Sequence, residues 1–147
     1  MTNIDKINNE IDNIIITCEK YSNDFNEELN VIKKSINYND IPLSISVYFD
    51  DVQKGSDLLN DLKLKQYEFG KNYQTDKFIK ELREIGNIGN ENANKFQRLY
   101  FRDEEFRNYI RNNNIDKNAI FDYLYKIIID YYQKIGYLVE FLYYLGY

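Results

Sequence analysis

Apolar residues recur along the start of the chain at the spacing of an α-helix. Ile4, Ile7, Ile11, Ile14, Cys18, Tyr21 and Phe25 alternate steps of three and four, and Leu29, Ile32 and Ile36 resume the stripe after one slip. Such a seam is made to pack on other helices. It runs out at NYND, residues 37–40, which is turn chemistry.

A second helix is predicted to open at residue 41 or 43, with Asp40 as its cap and Pro42 in the tolerated first turn. Its seam is Ile45, Tyr48, Val52, Leu59, Leu62 and Phe69, and Gly70 is placed to stop it. Residues 43–49, LSISVYF, also alternate with period two as a strand would. No other segment alternates to pair with it, so the helix is preferred.

The third segment spans residues 75–110. Phe78, Leu82 and Ile85 open its stripe, and Phe96, Leu99, Phe106 and Ile110 close it. Between them lies IGNIGNENAN, residues 85–94, whose glycines each weaken a helix interior by about 1 kcal/mol relative to Ala. The pattern predicts one helix with a weak waist, the alternative being two helices joined there. RNNNIDKN, residues 111–118, reads as a loop. Within it Asp116 is a good N-cap for a last helix, flanked by Ile115 and Ile120 as a hydrophobic staple.

The last helix has an unusual circumference. Asp122, Lys126, Asp130, Gln133, Tyr137, Glu140, Tyr144 and Tyr147 fall on one narrow stripe, and nearly everything else is apolar. Asp130, Lys134 and Glu140 interrupt any run long enough to span a bilayer, so a membrane partner is excluded for it. A helix apolar around most of its surface must be covered by more than one neighbour. The cover is either its own chain or a second copy, the seam of a homodimer. Asp122 with Lys126 and Asp130 with Lys134 are spaced as i,i+4 pairs.

Together these segments predict an all-α fold: an antiparallel four-helix bundle with long helices and short loops, or a five-helix one if the third segment divides. No repeat or interdomain linker emerges, so residues 1–147 read as a single domain.

Composition narrows the chemistry. The chain has no His, one Cys and a net charge of −5. Without imidazole, catalytic triads, His-ligated metals and the Glu-x-x-His sites of di-iron bundles are gone. Cys18 lies on the apolar stripe, where a thiol is buried and inert rather than nucleophilic. A single thiol, with an N-terminus unlike a signal peptide, predicts a cytoplasmic setting. The acidity disfavours nucleic acid as a partner. Asn, Ile, Lys and Tyr are abundant and have AT-rich codons, which points to an AT-rich bacterium or one of its mobile elements.

Three features are candidates for a role. Glu81 and Glu84 share a helix face, with Asp103, Glu104 and Glu105 further on, and such pairs hold Mg²⁺ in all-α nucleotide hydrolases; a solvated face is the simpler alternative. GNIG, residues 86–89, follows no strand and lacks the Lys-Ser or Lys-Thr of a phosphate loop, so close helix approach or a hinge explains it. The third is KFQRLYFRDEEFRNYIR, residues 95–111, which carries Arg98, Arg102, Arg107 and Arg111 among aromatics. Arginine forks recognise carboxylate and phosphate. Asp103 and Glu104 are spaced to compensate Arg107. With Tyr137, Tyr144 and Tyr147 on the edge of the last helix, these arginines are the expected partner-binding residues.

The expectation from the sequence is a protein-binding bundle without catalysis, cofactor or metal, of the kind that serves as an immunity protein, antitoxin or anti-defence inhibitor. The alternatives are the Mg²⁺-dependent nucleotide hydrolase and a structural homo-oligomer.

Overall fold

The computed structural model describes residues 1–69 and 75–147, apart from the side chain of Phe69. Among the described residues six α-helices follow one another: α1 (Asn3–Ile32), α2 (Leu43–Gln53), α3 (Asp57–Phe69), α4 (Thr75–Arg102), α5 (Glu104–Asn112) and α6 (Lys117–Tyr144). A short 3-10 turn, Tyr38–Asp40, precedes α2. Among the described residues there is no strand, and residues 43–49 are helical. The fold is the expected all-α bundle of long helices and short connections, with α6 antiparallel to both α1 and α4.

Two of the predicted segments are each divided. The second is α2 plus α3, broken at Gly55, whose φ of +69° is left-handed backbone that favours glycine. Ser56 then opens α3, its Oγ accepting from the Leu58 N–H at 3.2 Å. Asp40 does not cap α2, whose first turn has Pro42 before it and no side-chain cap. Asp40 instead accepts from the Asn37 side chain at 2.7 Å and closes the preceding turn. The expected stop at Gly70 lies outside the described residues.

The third segment passes through its glycine waist as one helix and breaks later, at Asp103. That carboxylate accepts from the Phe106 N–H at 3.0 Å and starts α5. Asp116 caps α6 as expected, accepting from the Ala119 N–H at 3.2 Å. At the other end of the chain Thr2 and Asp5 form a reciprocal capping box at the start of α1.

The glycine waist explains itself in the packing. A Cβ on Gly89 would stand 2.9 Å from the Tyr132 carbonyl oxygen and 3.0 Å from the Gly136 nitrogen, both backbone atoms of α6. One on Gly86 would meet the Val139 side chain at 2.7 Å. Gly136 in turn leaves room for Asn90, which donates to the Gly136 carbonyl at 3.3 Å. Ala93 continues the row and is buried. The two backbones touch, and only small residues permit it.

α6 packs against α4, α1 and α2, and its own chain buries Phe121, Leu124, Ile127, Ile128, Tyr131, Tyr132, Ile135, Leu138 and Leu142. The polar stripe is its outward edge: every member is exposed except the half-buried Asp130. The expected i,i+4 pairs along it do not form. Asp122 accepts from the Tyr100 hydroxyl at 2.5 Å, and Lys134 reaches across to Glu10 of α1 at 3.8 Å. No helix among the described residues is long and apolar enough to cross a membrane.

The buried tyrosines fasten helices to one another through their hydroxyls. Tyr132 donates to Asp51 of α2 at 2.8 Å, and Tyr109 donates to the Asn37 carbonyl at 2.8 Å. Tyr131 accepts from the Ser56 N–H at 3.2 Å, directly at the α2–α3 break. Cys18 is buried beside it, donates to the Tyr131 carbonyl, and burial pushes its thiol up to about 12. The expected inert thiol is what the core contains.

Two outcomes follow from this packing. Gly89→Ala is expected to lower stability by about 1–2 kcal/mol in urea unfolding, because the clash with fixed backbone outweighs the gain in helix propensity. Gly86→Ala is expected to be milder, since the Val139 side chain can turn away; equal stability of Gly89→Ala and the parent would refute the close-approach account. The second outcome concerns pH. Burial raises Tyr131 and Tyr38 from the ordinary 10.0 to about 12, and Tyr100 and Tyr132, beside Asp122 and Asp51, are raised as well. The unfolded chain therefore releases these protons first. Stability should hold from pH 7 to 9 and fall between 10 and 12, by up to about 1.4 kcal/mol per pH unit for each such tyrosine. Urea midpoints across that range check it.

Candidate functional site

Four of the five arginines were expected on one face, and the fold sends them in different directions. Arg98 and Arg102 lie on the last two turns of α4, while Arg107 and Arg111 lie beyond the Asp103 break on α5. All four are exposed. Arg107 is near enough to Lys117 to help lower the lysine's pKa, after burial, so it faces the start of α6. The expected compensation of Arg107 by Asp103 and Glu104 does not occur: none of the four arginines forms an ion pair among the described residues.

Arg98 and Arg102 instead join Lys95 along one face of α4, at i, i+3 and i+7. They border a cleft of about 460 Å³ lined also by Tyr48, Leu99, Asp103 and Glu104. α2 forms the opposite wall, and a short chain of contacts fixes it there. The Ser44 hydroxyl donates to Asp103 at 3.1 Å, through the same carboxylate oxygen that caps α5. The Tyr48 ring stands on Phe96 with centroids 5.0 Å apart and meets Tyr132 edge-on at 6.1 Å. Burial raises the Tyr48 hydroxyl pKa, as does Asp51, against the pull of nearby Arg98. The cleft thus has an aromatic and aliphatic floor, three cations on one rim and Glu104 at one end.

Lysine 117 shows what a structural cation looks like in this molecule. Its ammonium donates to the Tyr100 carbonyl at 2.6 Å and lies 4.1 Å from the centre of the Tyr100 ring. Among the described residues Lys95, Arg98 and Arg102 have no such engagement.

The tyrosine half of the expected surface is elsewhere. Tyr144 is 83% exposed, Tyr137 43% and Tyr147 38%. Tyr137 packs beside Phe141 with Lys134 over its ring, next to a shallow polar recess that includes Tyr21 and Asp130. The Tyr147 backbone oxygen accepts from Arg83, and its hydroxyl accepts from Asn3. Arg83 and Arg98 are separated by about 22 Å along α4, so Tyr147 lies at the end of the bundle away from the cleft. Sequence reasoning missed Tyr48 and Lys95 as members of the cleft. Lys95 shares the helical face of Arg98 and Arg102 and was legible from spacing; Tyr48, counted as core, was not.

The acidic constellation considered for Mg²⁺ is dispersed. Glu81 pairs with Lys65 of α3 at 3.8 Å, and Asp103 is committed to Ser44 and Phe106. Among the described residues no group of three or more Cys, Asp or Glu is placed to hold a metal ion. No protein family, curated protein or solved structure matches the chain.

A contrast in stability checks the assignment of the cleft cations. Exposed and unpaired, Arg98→Glu with Arg102→Glu should change unfolding free energy by no more than about 0.5 kcal/mol. Asp103→Ala removes a cap and a cross-helix bond and should cost about 1–2 kcal/mol. If the arginine variant proves the less stable of the two by urea unfolding, the arginines are structural.

Proposed function

We propose that the protein acts by binding another protein through the α2–α4 cleft and performs no catalysis of its own. The observation that carries this reading is the row of exposed cations, Lys95, Arg98 and Arg102, which form no ion pair among the described residues, beside an apolar floor in a chain of net charge −5. Cations kept free in an acidic protein raise the rate and specificity of encounter with a partner of opposite charge. The interior supports the same reading. Several of its polar groups are occupied in holding helices together, as in Tyr132 with Asp51 and Tyr100 with Asp122. An immunity, antitoxin or anti-defence role fits a small acidic bundle of this type, by association of size and charge alone.

Affinity capture from the source organism tests the reading. A stoichiometric protein partner should be recovered, and Arg98→Glu with Arg102→Glu should abolish its capture while Tyr144→Ala leaves it in place. Capture unchanged by the double arginine variant would refute the cleft as the binding face. A Mg²⁺-dependent rise in melting temperature, lost in Glu81→Ala, would favour the hydrolase instead.

A further inference from the structure

We infer that the occupant of the α2–α4 cleft is an acidic amphipathic helix of the partner, an inference that rests on the protein-binding reading above. Lys95, Arg98 and Arg102 are laid out along α4 over about 10 Å, at the steps of three and four that define one helical face. A second helix lying alongside presents carboxylates with the same period, so a row of acids at i, i+3 and i+7 meets the row of bases in register. Arginine forks hold such carboxylates bidentately.

The apolar part of the site fits the same occupant. Tyr48 and Leu99 floor the cleft. On α2, one position around from Ser44 and Tyr48, Leu43 is 73% exposed and Val47 45%. These two are spaced i,i+4 on the outward side of α2, beyond the residues that line the cleft. An amphipathic helix with an aliphatic seam beside its acidic one would cover Tyr48 and Leu99, whereas a purely acidic coil would leave their open edges in water.

The charge sequence along the cleft also adds a fourth position. It reads Lys95, Arg98, Arg102, then Glu104 at the start of α5. The matching helix carries three acids followed by a base. Nucleic acid is disfavoured by the same layout, since the cations number three, Arg107 and Arg111 lie beyond the cleft lining, and Asp103 and Glu104 line the same space. Affinity for a phosphate backbone grows with the number of phosphates neutralised, and this row offers few.

The experiment uses the full chain and a designed helical peptide of about 15 residues, with Glu at i, i+3 and i+7, Lys one turn further on, and Leu along the adjoining face. Binding is read by fluorescence anisotropy and by amide chemical-shift mapping. The matched peptide should shift Val47, Tyr48 and Leu99, and should bind at least about tenfold tighter than a scrambled peptide of the same composition. Arg98→Glu with Arg102→Glu should lose about tenfold or more, and a peptide with Lys in place of Glu should recover binding to that variant. Equal binding of matched and scrambled peptides would overturn the helical register. A single-stranded oligonucleotide or pyrophosphate that produces the same shifts, where the peptide does not, would overturn the carboxylate occupant. Failure here is separable from failure of the function. A captured partner that depends on Arg98 and Arg102, but that the matched peptide cannot displace, refutes the acidic helix and leaves the protein-binding cleft standing.

Discussion

Everything in this bundle is hung on the place where the backbones of α4 and α6 touch. Gly86, Gly89 and Ala93 on one helix and Gly136 on the other remove the side chains that would hold the axes apart. That close approach fixes the azimuth of both helices, because only one face of each can come so near. Once α4 is oriented in this way, Phe96 and Tyr100 point inward, and Lys95, Arg98 and Arg102 are left on the side facing α2. The cationic rim of the cleft is therefore a consequence of glycines one to four turns away, none of which touches it.

The tyrosines perform a second, more local task. A phenolic ring buries like an aromatic core residue but brings a hydroxyl that must find a partner. Here the partners lie on other elements: Asp51 on α2 for Tyr132, Ser56 at the α2–α3 break for Tyr131, and Asn37 before the 3-10 turn for Tyr109. These bonds locate the short helix α2, which has little surface of its own to bury. Ile45, Phe49 and Val52 are its buried positions. Without a disulfide, the placement of α2 depends on those three side chains, on the Tyr48–Phe96 contact, and on the Ser44–Asp103 and Tyr132–Asp51 bonds.

The helical periodicity was legible because most core residues do obey it. The thin polar stripe of α6, the cap at Asp116 and the meaning of the glycine waist could all be read from spacing. The breaks at Gly55 and Asp103 could not be read from apolar spacing, because the seams on either side of each remain nearly in phase. Val52 to Leu59, and Leu99 to Phe106, are both steps of seven, which a straight helix and a sharp corner satisfy alike. The local signals were present as Gly-Ser-Asp at 55–57 and Asp-Glu-Glu at 103–105, a left-handed stop followed by a cap in the first and a cap with an acidic first turn in the second. The grouping of the arginines failed for the same reason: a helix drawn straight through Asp103 keeps all four on one rod, and the corner separates them. The partners of the polar side chains were out of reach, since Lys134 chose Glu10, 124 positions away in sequence, over its neighbour Asp130.

The corner at Asp103 connects fold to candidate site. One carboxylate oxygen caps α5 and receives the Ser44 hydroxyl of α2. It thereby ends α4 right after Arg102, turns the chain away, and holds the opposite wall of the cleft at hydrogen-bonding distance. Beyond the corner Phe106 is fully buried against Phe121 and Tyr100. The break thus closes the core under the end of the bundle and opens the cleft above it. It also engages one of the carboxylates within a turn of Arg102 and Arg107, and Glu104 and Glu105 form no ion pair with either among the described residues. The acid next in sequence to Arg102 is thus occupied in making the corner, and Lys95, Arg98 and Arg102 form no ion pair among the described residues.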